Sequence, residues 1–335
     1  MRRIAVQACE LEGRQLAETS EGTDNRPTIL FVLAMARSGT SALTRVLSLC
    51  GAALPAGMLG ANKGNERGYW EPRESIYLNL RILRERGSGW WDLSIPNGDE
   101  LDKAKHDADT ADVKAYLATL PAAPLVVIKD VQIVPSAELW FDAAVQSGFR
   151  VATVIAVRNP DEVSASMEDH IRANPAFASA LWLKSNLLSE RNSRSVPRVF
   201  VEYRNLMADW RGEVERVSAA LSIRLSTANG GAIDEFLTSA LRHKKHSGPV
   251  ADRFGANWIS KTYEILSAAA QDEPVDTVAL DRILDAYQGS QRDFQLAFDW
   301  ARNYNTSARL FLRPSITKLI FELRATAHRR KGTWA

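Results

Sequence analysis

Three short stretches of this 335-residue chain carry side chains suited to handling an anionic group, and a fourth carries candidate bases. The first, Arg37-Ser38-Gly39-Thr40-Ser41, follows the apolar run Thr28–Leu33 and leads straight into the helical pattern Ser41–Leu49. A helix N-terminus offers unpaired N–H groups and partial positive charge to a phosphate. Gly39 permits close backbone approach, Thr40 and Ser41 add hydroxyl donors, and Arg37 supplies the cation. A plain N-cap would use the same Ser and Thr. A Walker A loop is excluded, because no lysine follows Gly39 and no glycine precedes it at the required spacing. An ATP or GTP hydrolase is disfavoured accordingly. The second stretch, Arg158-Asn159-Pro160-Asp161-Glu162, ends an apolar run and starts a helix, with Ser166 about two turns on. Alone, an arginine at a strand end reads more ordinarily as a salt-bridge partner. Lys129-Asp130 closes a further apolar run. The fourth stretch, Gly64–Pro72, is rich in turn residues and holds Glu71 beside Trp70. A carboxylate against aromatic surface can have its pKa raised, which suits a general base. Glu66 and Asp130 are alternatives for that role, and Glu71 could simply sit near the positive end of the helix that follows.

Taken in order, these stretches resemble the motifs of sulfotransferases that use 3′-phosphoadenosine 5′-phosphosulfate (PAPS). Arg37–Ser41 is similar to that family's strand–loop–helix for the 5′-phosphosulfate, and Arg158…Ser166 to its reader of the 3′-phosphate. Ile128-Lys129-Asp130 resembles the family's Lys-Asp-Pro, and Val201–Leu206 its Tyr-Glu-Asp-Leu segment, whose tyrosine, here Tyr203, lies near the adenine. The likeness runs from Thr28 to Leu221. It implies a P-loop-like α/β fold, Arg37, Ser38, Gly39, Thr40, Ser41, Arg158, Ser166 and Tyr203 as cosubstrate-binding residues, and no metal. It also implies sulfuryl transfer to a hydroxyl, with Arg37 and Thr40 meeting leaving-group charge, Lys129 at the bridging oxygen or sulfuryl group, and Glu71 as base. Three departures stand out. Val131 and Gln132 occupy the place of the histidine base of the cytosolic eukaryotic branch. No tryptophan follows the phosphate loop to stack on adenine. The basic closing loop has only a loose counterpart in Arg242–Gly248, which could equally be a solvated turn.

The elements that must position these residues alternate. Thr28–Leu33, Pro124–Ile128, Val151–Val157 and Arg198–Val201 read as strands buried on both faces, as in a parallel sheet. Helical spacing occupies Ser41–Leu49, Glu74–Arg86, Lys103–Leu120, Ser136–Gln146, Asp161–Arg172, Phe177–Arg191 and Leu206–Leu221. The expected fold is α/β, a central parallel sheet flanked by helices. Residues 1–27 read as an irregular leader, 28–250 as the α/β domain and 251–335 as a helical extension. In that extension, Ile259–Ala270, Val278–Tyr287, Phe294–Ala301 and Ser315–His328 carry helical spacing.

Composition narrows the function classes. Hydrophobic residues are 45% and charged residues 24%, as in ordinary soluble globular proteins. Forty-two basic against forty acidic residues leave +2, too balanced for a nucleic-acid coat. Two cysteines and no apolar run near the ~20 residues of a bilayer span point to the cytoplasm. The stretch 309–335 is nevertheless at +6, with Ile316, Leu319, Ile320 and Leu323 at helical spacing. Such a helix either caps the domain with its apolar face or lies peripherally on an anionic membrane. Three of nine tryptophans, Trp70, Trp90 and Trp91, fall beside Glu71. They suit stacking on a glycan or glycoconjugate acceptor, or on a phenol, although Trp90-Trp91 could be a core plug. The competing functions are a kinase with an atypical phosphate loop and a non-catalytic adenosine-bisphosphate-binding protein.

Overall fold

The computed structural model describes residues 26–62, 65–95, 103–238, 248–254, 256–290, 297, 300–301 and 313–330. Four strands, β1 (Thr28–Leu33), β2 (Leu125–Lys129), β3 (Arg150–Val157) and β4 (Arg198–Glu202), form one sheet in the order β2-β1-β3-β4. Every pairing is parallel, with Phe31 opposite Ile128 on one side and Thr153 on the other. The strands are continuously apolar because both faces are covered. Ile29, Phe31 and Leu33 point into one core with Val126, Ile155 and Trp140, while Leu30 and Val32 point into a second with Val127, Val154 and Val201. The expected parallel α/β fold is the observed one.

Twelve α-helices are present among the described residues. Helix α1 (Thr40–Leu49) covers the second face, together with α7 (Tyr203–Ala208), α8 (Trp210–Ala220) and α9 (Gly230–Phe236). The first face is covered by α4 (Ala137–Gln146), α5 (Pro160–Ile171), α6 (Pro175–Asn192), α10 (Trp258–Ala269) and α11 (Thr277–Gly289). Helix α2 (Arg73–Glu85) and helix α3 (Lys103–Leu117) add Ile82, Val113 and Leu117 to that first core, and α12 (Pro314–Arg330) packs on α2. Ile259, Leu266, Leu280 and Ile283, from the helical extension, share a core with Ile29 and Phe31 of the sheet. No helix among the described residues is long and apolar enough to cross a membrane.

Most differences from the expected bounds are one or two residues; four are larger. The helix expected over Leu206–Leu221 is two, because Asp209 leaves helical backbone and its carboxylate accepts the Gly212 N–H at 3.1 Å to cap α8. The helix expected from Ser136 is preceded by a 3₁₀ turn, Val131–Ser136, with Pro135 inside and the Asp130 carboxylate capping its start. Lys103–Leu120 ends instead at Leu117, and α9 had no periodic signal to announce it. The leader through residue 25, the basic run Arg242–Ser247 and most of Phe294–Ala301 lie outside the described residues.

Topology fixes where a ligand can enter. β1 and β3 are neighbours, yet the helix after β1 lies on one face and the helix after β3 on the other. Their carboxyl ends therefore splay apart into a crevice, the usual ligand position in open α/β sheets.

Candidate active site

The turn leaving β1 is built for close approach. Arg37 and Gly39 both take left-handed backbone, with φ of 70° and 87°. A Cβ on Gly39 would stand 2.3 Å from Cδ2 of Tyr203, so glycine is required by conformation and by space. No side chain caps α1 and no acidic residue occupies its first turn. Its N-terminus thus keeps its positive character toward the crevice.

Arg158 and Ser166, expected to act with this turn, meet it directly. Arg37 Nε donates to Ser166 Oγ at 3.0 Å, and Arg158 Nη1 donates to the Arg37 carbonyl at 2.9 Å. Burial lowers the pKa of the Arg37 guanidinium, and the Arg158 charge acts the same way. Arg158 is also the ion-pair partner of Glu162, Nε to Oε2 at 3.0 Å, the ordinary role of an arginine at a strand end. Asn159 makes this geometry possible by capping α5, its Oδ1 accepting the Asp161 and Glu162 N–H groups. The Arg158 guanidinium lies 4.6 Å from the Tyr203 ring centroid, which wedges the tyrosine between Arg158 and Gly39.

Beside this anion-directed end stands a buried ion pair. Lys129 Nζ, at the end of β2, meets Glu71 Oε1 at 2.5 Å and the Tyr69 carbonyl at 3.3 Å. Ser41 Oγ donates to the same carbonyl at 3.0 Å, linking the phosphate-type loop to the Glu71 segment. Both ends open into one cleft of about 1030 Å³. Of the residues singled out from sequence, Arg37, Gly39, Thr40, Ser41, Glu66, Glu71, Lys129, Arg158, Ser166 and Tyr203 line it. Ser38 does not: its side chain is buried, and its N–H donates to the Met35 carbonyl. Asp130 does not either. Its carboxylate accepts from Ser75 Oγ, Asn79 Nδ2 and the Gln132 N–H at 2.8–2.9 Å, a structural bracket between β2 and α2. Burial, then the Glu71 charge, pushes its pKa up to about 6.

The three neighbouring tryptophans divide. Trp70 donates to the Arg67 carbonyl and lies under Arg45, 4.5 Å from ring to guanidinium, outside the cleft lining. Trp91 is buried against Phe177 yet has an edge in the cleft, and Trp90 lines it beside Trp91.

Several lining residues carried no local signal. Gln132, marked in the sequence only as standing where a histidine base is missing, is buried, with Oε1 lacking a hydrogen-bond partner in the protein. Asn62 accepts from the Tyr69 hydroxyl at 3.0 Å. Arg67 reaches the Phe236 carbonyl at 3.0 Å, tying the Glu71 segment to α9. Phe321 and Arg324 come from α12, some 250 residues after Glu71 in the chain.

No protein-family model and no curated protein matches the chain. Three solved structures show partial likeness. The sulfotransferase domain of a Synechococcus olefin synthase aligns at TM-score 0.43 and 19% identity, covering 72% of this chain and 95% of its own. The sulfotransferase domain of a curacin biosynthetic pathway aligns at 0.39 and 16%, covering 74% and 99%. A Mycobacterium tuberculosis sulfotransferase aligns at 0.35 and 18%, covering 62% and 70%. At this level of likeness, what the chain does must be read from the cleft itself.

Proposed function

We propose that this chain is a sulfotransferase that moves a sulfuryl group from PAPS to an acceptor hydroxyl, one belonging to a glycan or glycoconjugate. The observation that carries this is the meeting of Arg37, Arg158, Ser166 and the uncapped start of α1 at the crevice, beside the Glu71–Lys129 pair. The residues fit the cosubstrate: the Gly39 turn with Thr40 and Ser41 would hold its 5′ end, Arg158 and Ser166 its 3′-phosphate, and Tyr203 would lie near its adenine. When bound, PAPS supplies an activated sulfuryl group on a phosphate leaving group.

The chain's own groups do the rest. Arg37 and the first N–H groups of α1 stabilise negative charge at the 5′ phosphate. Lys129 orients the Glu71 carboxylate. Glu71 then accepts the acceptor's hydroxyl proton as general base, an effect worth about 10²–10⁴ in rate. Gln132 Oε1, buried and unpartnered, is available to a hydroxyl hydrogen and so to orienting the acceptor. Trp90 and Trp91 give the cleft an aromatic wall.

Titration calorimetry tests the cosubstrate. Adenosine 3′,5′-bisphosphate should bind, ATP should bind far more weakly, and Arg158→Ala should abolish the difference. Tighter binding of ATP would favour the kinase reading instead.

A further inference from the structure

The C-terminal helix is clamped to the site at one point and reaches into it at another. Glu322 accepts from Arg73 Nε at 3.0 Å and from the Tyr77 hydroxyl at 3.1 Å. The Tyr77 ring is flanked by Phe321, with centroids 6.1 Å apart, and by Lys318, 5.6 Å from the centroid. Arg73 is itself fixed, donating to the Met58 carbonyl at 3.0 Å. It stands two residues after Glu71, so α12 is seated on the segment that carries the base. With the helix held there, Phe321 and Arg324 on one of its faces line the cleft. Arg324 forms no ion pair among the described residues, whereas the negative charge of Glu71 is already met by Lys129. The remaining acidic lining residues, Glu66 and Asp169, belong to the loop before α2 and to α5, not to the α12 wall.

We infer that α12 supplies a specificity determinant: Arg324 reads a carboxylate on the acceptor, while Phe321, Trp90 and Trp91 cover its apolar surface. The acceptor class is then an acidic glycoside or similar hydroxyl compound with a carboxylate set apart from the reacting hydroxyl. An exposed guanidinium at a cleft rim forms a charge-assisted, directional hydrogen bond to a carboxylate but finds nothing comparable on a neutral sugar. This inference rests on the sulfotransferase reading for the word acceptor, but not for the binding itself.

The test is calorimetric binding of two matched probes, p-nitrophenyl β-glucuronide and p-nitrophenyl β-glucoside, to the full chain saturated with adenosine 3′,5′-bisphosphate. The glucuronide should bind about tenfold more tightly, the size of one charge-assisted hydrogen bond. In Arg324→Gln the ratio should fall to about one with adenosine-bisphosphate affinity unchanged, while Arg313→Gln, at the start of the same helix, should keep it. Equal affinities in the native chain, no binding of either probe, or a ratio that survives Arg324→Gln would overturn the assignment. A ratio that behaves as expected, with no sulfuryl transfer to either probe, would uphold the carboxylate site and count against the sulfotransferase reading alone.

Discussion

At Gly39 two constraints coincide, a left-handed φ and a tyrosine ring within 2.3 Å of any Cβ. Gly39→Ala should therefore cost about 1–3 kcal/mol of stability and displace Tyr203, weakening adenosine-bisphosphate binding at least tenfold. Thermal denaturation and calorimetry on the same sample read both effects. The Glu71–Lys129 pair makes a different demand, because the two side chains are 10% and 4% exposed. Lys129→Met leaves a buried carboxylate unpaired, and should destabilise the fold by about 3–5 kcal/mol in urea titrations. Adding Glu71→Leu should restore much of that loss; a double variant as unstable as the single one would show the cost lies elsewhere. Residue by residue, Lys129 and Arg158 were legible in sequence because each stands at the end of a strand, and Arg37 because it lies between a strand and a helix. Their mutual contacts were not, since Arg37 and Ser166 are 129 positions apart. Ser38 and Asp130 carried the right motif and turned inward, Ser38 to a buried place in the turn and Asp130 to Ser75, Asn79 and the Gln132 N–H.

Between elements, Asp130 is the joint that holds β2, the 3₁₀ turn and α2 in register. Burial and the Glu71 charge raise its pKa to about 6 in the folded chain, against 3.8 for an ordinary aspartate. A raised folded pKa means the native state binds the proton more tightly than the unfolded state. This contribution to stability is fully present below pH ~4 and is lost as pH rises through about 6. Urea unfolding between pH 4 and 7 should show this decline, and Asp130→Asn should flatten it; an unaltered slope in that variant would remove Asp130 as its source. The elements themselves were mostly readable, the four strands above all, because burial on both faces writes an unbroken apolar run. The sequence signal failed where one polar side chain decides, as Asp209 does in dividing α7 from α8.

At the scale of the whole molecule, the chain closes on itself. Buried Glu202 at the end of β4 accepts from Tyr263 at 2.5 Å and Ser267 at 2.9 Å, docking α10 on the sheet, and α12 returns to the cleft. The sequence suggested two roles for that last helix, a cap or a membrane contact, and the helix is seated on α2 through a face other than the expected one. Thr317 and Ala325 are buried, while Leu319 and Leu323 stand 60% and 63% exposed. Which face packs depends on Arg73 and Tyr77, far away in sequence, so periodicity alone could not show it. We propose that the outward leucines, with Arg313, touch an anionic bilayer. Sedimentation with phosphatidylserine vesicles should then fall sharply in Leu319→Ser/Leu323→Ser; equal sedimentation would leave α12 only its place at the cleft. The most direct test of the central claim is transfer of labelled sulfate from PAPS to a panel of hydroxyl acceptors, with Glu71→Gln alongside. Label should reach an acceptor at a rate that falls at least a hundredfold in Glu71→Gln while adenosine 3′,5′-bisphosphate still binds. No label on any acceptor, or an undiminished rate in that variant, would contradict it.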